Sequence, residues 1–395
     1  MKKLVLAYSG GLDTSYCAKY LSEVENFEVH AVSVNTGGFE KEEIEAIGKK
    51  AVQLGASSYK SIDAVQIFYD KVVKFLIYGN VLKNNTYPLS VSAERIIQAI
   101  EIVNYAKKIG AGYIAHGSTG AGNDQVRFDM IFQTLAPEIE IITPIRDLKL
   151  TRQEEITFLK KNGVDLAWDK AKYSINRGLW GTSVGGQETL SSHAGLPDDA
   201  YPSQLSKEEP LDLKLSFNRG ELIAINDQQD SCVNNIISLN KIASAYAIGR
   251  DIHVGDTIIG IKGRVGFEAA APLIMIKAHH LLEKHTLTKW QQHHKEQLGN
   301  WYGMLLHEGQ YLDEVMRNIE VFLTDTQRYV TGDVFITLHP YRFNLNGISS
   351  EHDLMNSSFA SYGETNEGWT ADDAKGFIKI TSNQGKIFNH VNTKK

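Results

Sequence analysis

Lys3-Leu4-Val5-Leu6-Ala7-Tyr8 followed by Ser9-Gly10-Gly11-Leu12-Asp13-Thr14-Ser15 is the stretch from which the rest of the chain can be read. An aliphatic, β-branched run of this length bounded by turn residues suits a strand buried on both faces, and Tyr16 to Leu21 can continue as a helix. The glycines therefore lie where a strand empties into a helix N-terminus. Two adjacent glycines let backbone approach a ligand closely, free amides and the helix dipole favour negative charge, and the hydroxyls of Ser9, Thr14 and Ser15 can bond phosphate oxygens. A plain Gly-Gly turn gains nothing from clustering three hydroxyls and a carboxylate. Phosphate is the expected guest.

The loop lacks the Lys of G-x-x-x-x-G-K-[ST] and the three-glycine spacing of the dinucleotide fingerprint. Its pattern, S-G-G-x-D-[ST]-S, resembles the pyrophosphate loop of the N-type ATP pyrophosphatases, which cleave ATP between the α and β phosphates.

Outward from the loop, strand and helix alternate. Strands are expected at Glu28 to Val34, Ser58 to Ile62, Tyr113 to Ala115 and Ile139 to Ile142. Helices are expected at Glu40 to Leu54, Ala64 to Tyr78 and Ala93 to Lys108, with Ser92 as a candidate N-cap, and at the Thr151-Arg152-Gln153-Glu154 capping box. This predicts an α/β, doubly wound parallel sheet over residues 1–168, with ligands at the C-terminal strand ends. From about Asp169 the texture changes to aromatic and glycine-rich segments. A hairpin is expected around Asn218-Arg219-Gly220, with helices near Asn234 to Ala247, Phe267 to Lys284, Lys289 to His307 and Asp313 to Leu323, then strands at Tyr329 to Leu338 and Tyr341 to Asn346. That predicts an α+β domain over 169–365 and a polar C-terminal segment, 366–395.

Bulk composition is ordinary for a soluble protein. At 395 residues two domains are the natural expectation, and 42% hydrophobic residues suffice for their cores. A formal charge of −6 gives no electrostatic reason to expect nucleic acid as partner, no apolar run approaches membrane-spanning length, and the N-terminal apolar stretch is too short for a signal peptide. The cytoplasm is the expected compartment. Cys17 and Cys232 form no Cys-x-x-Cys pair and read as buried thiols, against sulfur-handling chemistry. His279, His280, His285, His293 and His294 crowd one region without the i, i+4 spacing of a helical metal site, and Trp290, Trp301, Tyr302 and Tyr311 read as core or subunit contacts.

Behind the Tyr113 strand comes a second glycine-rich loop, His116-Gly117-Ser118-Thr119-Gly120-Ala121-Gly122-Asn123-Asp124-Gln125-Val126-Arg127-Phe128. Asn123, Asp124 and Arg127 supply donor, acceptor and cation for the ammonium and carboxylate groups of amino acids.

These two loops, with Tyr87-Pro88-Leu89-Ser90-Val91-Ser92 and Tyr173-Ser174-Ile175-Asn176-Arg177-Gly178-Leu179-Trp180-Gly181-Thr182-Ser183, together resemble the argininosuccinate synthases. The likeness thins beyond about Gly186 and returns at Ala247-Ile248-Gly249-Arg250-Asp251. It implies that citrulline, aspartate and ATP give argininosuccinate, AMP and pyrophosphate. It implies further that Ala7, Tyr8, Ser9, Gly10, Gly11, Leu12, Asp13, Thr14 and Ser15 bind ATP, with Val34 and Gly117 also beside the nucleotide. Thr119, Asn123 and Asp124 match aspartate contacts, and Tyr87, Ser92, Asn123, Arg127, Ser174 and Ser183 match citrulline contacts. Catalysis would be mainly positioning and charge stabilisation, with Mg2+ on the pyrophosphate oxygens, Asp13 as its candidate ligand and Asp124 holding the attacking amine. A homotetramer is implied as well.

Departures from that pattern are concentrated in one place. Aligned from Gly249, the family's citrulline-contacting Glu falls on Gly255 and its Tyr on Phe267, while Ala121 replaces a common Lys. Either Asp256 or Glu268 replaces the missing carboxylate for plain citrulline, or an N-acylated citrulline is accepted, with Gly255 and Ala269 leaving room. The rival readings are another ATP pyrophosphatase, such as an amidotransferase synthetase or a tRNA-modifying enzyme, and a nucleotide-binding module without ligase activity. The polar Gly385 to Lys395 end shows no obvious amphipathic arm.

Overall fold

The computed structural model describes residues 2–164, 172–356 and 368–393. An aliphatic strand can be buried on both faces only within a sheet covered by helices. That is the position of β1 (Lys3–Ala7): Leu4, Val5 and Leu6 are fully buried, Val5 in one apolar cluster and Leu4 and Leu6 in another. With β2 (Glu28–Asn35), β3 (Ser58–Asp63), β4 (Tyr113–Ala115) and β5 (Glu140–Ile142) it makes an all-parallel sheet of order β3-β2-β1-β4-β5. The order reverses between β1 and β4, so the loops leaving these two strands face one crevice.

The connecting helices are α1 (Leu12–Glu23), α2 (Lys41–Gln53), α3 (Val65–Phe68), α4 (Lys74–Tyr78), α5 (Glu94–Ile109), α6 (Asp124–Leu135), α7 (Pro144–Asp147) and α8 (Arg152–Lys161). The Thr151 capping box forms as the sequence suggests, Thr151 Oγ1 accepting from the Glu154 amide at 3.3 Å. Two readings change. The single helix expected from Ala64 to Tyr78 is interrupted by a π-helical turn at Tyr69–Val73, which local periodicity does not register. Ser92 does not cap α5, because Ala93 holds that position, and the Ser92 hydroxyl is instead buried without a partner.

Beyond residue 172 two antiparallel sheets form. The strands are β6 (Ser174–Gly178), β7 (Gly181–Gly185), β8 (Leu211–Asn218), β9 (Glu221–Ile225), β10 (Gln228–Gln229), β11 (Arg250–Asp256), β12 (Lys262–Glu268), β13 (Gly332–His339) and β14 (Arg342–Ser349), in orders β10-β9-β8-β13-β14 and β11-β12-β7-β6. The expected hairpin is β8–β9, turned by Arg219 and Gly220 in left-handed conformations, φ 49° and 78°. Helices α9 (Cys232–Ser244), α10 (Ala270–Thr286), α11 (Lys289–His307) and α12 (Glu314–Thr326) pack here. Phe267, expected in a helix, lies in β12 fully buried. Its strand register, Phe267 opposite Ser183 and Asp251, overrides the helical spacing that it shares with the residues of α10. Tyr302 and Tyr311 are core residues, whereas Trp290 and Trp301 are more than half exposed. Cys17 is fully buried and Cys232 partly so. His279 is fixed between Asn80 (2.7 Å) and Gln327 (2.8 Å).

Met1–Glu351 form one compact unit and His352–Lys395 another. The expected domain boundaries at 168/169 and 365/366 fall outside the described residues. In the second unit, α13 (Ala371–Thr381) and α14 (Asn383–Asn392) expose Phe377, Ile378, Ile380, Ile387, Phe388 and Val391. This corrects the impression of a merely polar end: polar residues predominate in composition, but the helical spacing gathers the apolar ones. No described helix is long and apolar enough to cross a membrane.

Candidate active site

A cavity of about 790 Å³ opens at the C-terminal ends of β1 and β4, walled by both glycine-rich loops, by the start of α5 and by the β6–β7 and β11–β12 hairpins. The first loop turns at Gly10, whose φ of 76° places its carbonyl to accept from Lys50 Nζ at 2.6 Å. Gly11 caps α1 without a side-chain bond, so the first helical amides lack a protein cap. On the cavity wall the Ser9 and Thr14 hydroxyls lie 3.2 Å apart. The second loop touches the first: a Cβ on Gly117 would lie 3.1 Å from the Asp13 carbonyl carbon and 3.2 Å from the Thr14 nitrogen. Only glycine permits that approach without displacement.

Behind Asp13, Glu155 on α8 is buried, and burial first, the Asp13 charge second, push its carboxyl up to about 8. The second loop is braced by His116, whose Nε2 meets Asp129 at 2.8 Å while its Nδ1 accepts from the Ser118 amide at 3.2 Å. Arg146 completes the brace on Asp129 at 2.7 Å.

Asp124 opens α6 between two guanidinium groups, Arg95 Nε at 2.9 Å and Arg127 Nη1 at 2.8 Å. Burial alone would raise this carboxyl, but the Arg95 and Arg127 charges and hydrogen bonds outweigh it and hold it down at about 2. Such a carboxylate can hold a cationic amine and is too weak a base to take its proton. Arg95 also donates to Glu94 at 2.8 Å, and Glu94, pushed up to about 7 chiefly by burial, accepts from Thr36 at 2.7 Å. Arg127 Nε donates to the His307 carbonyl at 2.9 Å, leaving Nη2 buried without a partner. Asn123 Oδ1 accepts from the Ile258 amide at 2.9 Å, tying the β11–β12 connection to the second loop.

Tyr87, Ser92, Ser174 and Ser183 line the same cavity. Tyr87 stacks on His253, ring centroids 5.1 Å apart, and leans on Phe267 at 5.3 Å. Of the residues singled out from sequence, Ala7, Tyr8, Ser9, Gly11, Leu12, Asp13, Thr14, Val34, Gly117, Thr119, Asn123, Asp124 and Arg127 line it too. Gly10 and Ser15 do not: Gly10 makes the turn, and Ser15 is fully buried in the first turn of α1. Sequence reasoning missed Arg95, Glu94, His253 and His307. Arg95 carried a signal, since it stands three residues after Ser92, which closes a motif already singled out; His253 lies in a strand that the sequence did not mark, and His307, at the end of a helix that it did, reaches the cavity only through the tertiary fold.

The structure also describes the surroundings of the departure at Gly255. Gly255 lines it, yet a Cβ there would lie 2.6 Å from His253 Nε2, so the imidazole fills the space a side chain would take. Ala269 is fully buried, 2.8 Å from where a Cβ on Gly181 would sit, and provides no room in the cavity. Glu268 is buried on Arg250 at 3.1 Å and is no cavity residue, while Asp256 lines the rim and pairs with Lys262 at 2.7 Å.

Family comparison agrees with this geometry along the whole chain. Residues 3–165 match the arginosuccinate synthase N-terminal HUP domain, and residues 173–388 match the arginosuccinate synthase C-terminal domain. Argininosuccinate synthase of Dictyoglomus turgidum is 36% identical over 390 residues, covering 98% of this chain and 97% of the relative. That of Pyrococcus furiosus is 36% identical (98% and 94% covered), and that of Sulfurisphaera tokodaii 35% (96% and 96%). Matched at both ends of its length, and with the motif residues gathered in one crevice, the chain belongs to the argininosuccinate synthase family, the ligases that join citrulline and aspartate with ATP in arginine biosynthesis.

Proposed function

We propose that this cavity carries out the ligation in two displacements, with ATP phosphates on Ser9 to Ser15 at the α1 N-terminus and the adenosine beside Ala7, Val34 and Gly117. The observation that carries the reading is the contact of the two glycine-rich loops at Gly117, which puts an anion cradle within one crevice of the Asp124–Arg127 pair. In the first displacement the citrulline ureido oxygen attacks the α-phosphorus, and the bond to the bridging oxygen breaks to release pyrophosphate. In the second the aspartate amine, having shed a proton to solvent, attacks the ureido carbon and AMP leaves.

In this reading Tyr87, Ser92, Asn123, Arg127, Ser174 and Ser183 orient citrulline, and Thr119, Asn123 and Asp124 orient aspartate. Asp124, kept ionised by two arginines, fixes the amine by charge, so the rate comes from positioning rather than side-chain proton abstraction. Mg2+ characteristically uses one or two carboxylates together with substrate phosphates, a donor set that Asp13 fits on the wall of the phosphate cradle. Bound there it would neutralise pyrophosphate charge. We further propose a cytoplasmic homotetramer, and a division into a nucleotide domain (1–168), a synthetase domain (169–365) and a C-terminal segment (366–395). The separate family matches over 3–165 and 173–388 support the first boundary.

The test is purified protein with ATP, Mg2+ and each combination of amino acids. AMP and pyrophosphate should form in step only when aspartate and a citrulline are both present. Formation of ADP, or turnover without the amino acids, refutes the reading, and light scattering that shows a monomer at micromolar concentration refutes the tetramer.

A further inference from the structure

Recognition of a free amino acid asks for acceptors, since its ammonium is donor-only and cationic. The citrulline side of this cavity offers the opposite. The carboxylates lining the cavity are Asp13, Glu94, Asp124 and Asp256. Asp13 belongs to the phosphate loop. Asp124 is assigned above to the aspartate amine, Glu94 is held by Thr36 (2.7 Å) and Arg95 (2.8 Å), and Asp256 stands at the exposed rim paired with Lys262 (2.7 Å).

Apart from the Tyr8 hydroxyl on the phosphate loop, what stands unpartnered on the wall among the described residues is of another kind: Arg127 Nη2, Arg264 Nε, Ser92 Oγ, His253 Nδ1 and His307 Nδ1, each a buried atom and none a carboxylate. Arg127, Ser92, His253 and His307 are themselves more than nine-tenths buried. Two are single guanidinium nitrogens without an acceptor, on groups whose other nitrogens bond Asp124 and the His307 carbonyl (Arg127) or the Glu188 and Ala194 carbonyls (Arg264). The imidazoles are neutral: burial, then Lys83, pushes His253 down to about 4, and burial, then Arg127 and Lys83, pushes His307 down to about 2. Lys83 and Arg127, which add to burial in keeping these rings neutral, would also repel an ammonium. The place where an acid could stand, Gly255, is crowded by His253, whose Nε2 lies 2.6 Å from where a Cβ would sit, so a side chain there requires the ring to leave its stack on Tyr87.

We propose, building on the ligase reading above, that the amino acid taken by this chain is a citrulline acylated on its α-nitrogen. Acylation replaces the cationic donor-only ammonium by a neutral amide and adds a carbonyl acceptor. The α-carboxylate then accepts from the unpartnered Nη2 of Arg127, and the acyl oxygen, or a terminal carboxylate of a dicarboxylic acyl group, accepts from Arg264 Nε and the neutral histidines. The α-nitrogen takes no part in either displacement, so every bond made and broken stays as described for the ureido group.

The experiment compares kcat/KM for citrulline, Nα-acetylcitrulline and Nα-succinylcitrulline, at saturating ATP and aspartate, by pyrophosphate release. Expected is at least a tenfold advantage for one of the acylated substrates over citrulline. Turnover of citrulline with both derivatives silent, or poorer than citrulline, overturns the proposal and leaves the ligase reading intact. Silence with all three overturns the ligase reading, and this proposal with it. In the double variant His253→Ala/Gly255→Glu, which removes the ring and supplies an acid, the preference should shift toward citrulline by at least tenfold. A preference unchanged in a variant with wild-type thermal stability refutes the assignment of this wall to the α-nitrogen.

Discussion

Gly117→Ala tests whether contact between the two glycine-rich loops, rather than either loop alone, sets the nucleotide geometry. The added Cβ would meet the Asp13 carbonyl carbon at 3.1 Å and both Asp13 Cβ and Thr14 N at 3.2 Å. Relaxed contacts between such atoms lie at roughly 3.5–4.0 Å, so the loops must separate by about half an ångström. None of these atoms is the far end of a flexible side chain, and the first loop is held behind by Lys50 on the Gly10 carbonyl and by the Tyr8 amide on the Val32 carbonyl. The displacement therefore falls on the Asp13–Thr14 segment, which opens the helix. A misplacement of ~1 Å at a reacting centre costs about a hundredfold, so half of that predicts about a tenfold loss in kcat/KM for ATP, equivalent to about 1.4 kcal/mol. Steady-state pyrophosphate release measures it, with thermal melting to confirm folding. Gly120→Ala in the same loop is the control, since its Cβ would find Arg146 Cγ at 3.6 Å, an ordinary contact. Gly117→Ala kinetics within twofold of wild type, or an equal loss in the control, would refute the reasoning.

Three further outcomes are expected. Ser9→Ala and Asp13→Asn should each lower turnover by tenfold or more while shifting the melting temperature little, because both side chains line the ligand cavity; a collapse in ligand-free stability would make them structural residues instead. Glu283→Gln strips the partner from Lys295, 2.8 Å away and equally buried, and should destabilise by about 3–5 kcal/mol with KM for ATP unchanged; a denaturation midpoint within about 1 kcal/mol of wild type contradicts it. Ligand-free stability should be greatest near pH 6.5. The depressed His253, His279 (about 4 in each) and His307 (about 2) contribute stability above 6.5 that is lost as pH falls, whereas Glu94 (about 7) and Glu155 (about 8), raised by burial, contribute stability below 4.5 that is lost as pH rises. Between 6.5 and 4.5 three histidines act against two acids, so the fall is partly offset, and below 4.5 the histidines are joined by Asp124, held down at about 2; the whole loss for His253 alone, from 6.5 down to about 4, is about 3 kcal/mol. Urea unfolding from pH 4 to 8 that shows no fall below 4.5 would contradict the assignment.

The sheet, its helices and the ligand crevice were legible in the sequence because their causes are local. An apolar run followed by Ser9-Gly10-Gly11 states its own burial and its own turn, and Thr151 with Glu154 writes a helix start in four residues. The motifs carried the family because each is recognisable from a few consecutive residues, and the fold gathers them at one crevice. What the sequence could not hold was anything fixed by a partner distant along the chain. Ser92 reads as a helix cap, but Ala93 takes that position and leaves the Ser92 hydroxyl buried without a partner on a residue that lines the cavity. Phe267 follows strand pairing with Ser183, about eighty residues away. The guanidinium pair on Asp124 joins Arg95 to Arg127 across two helices, and only that proximity sets how tightly the carboxylate keeps its charge. Gly255 reads as a missing acid with space left over. Folding fills that space with His253, two residues earlier, because ring stacking on Tyr87 places the imidazole where the side chain would have been.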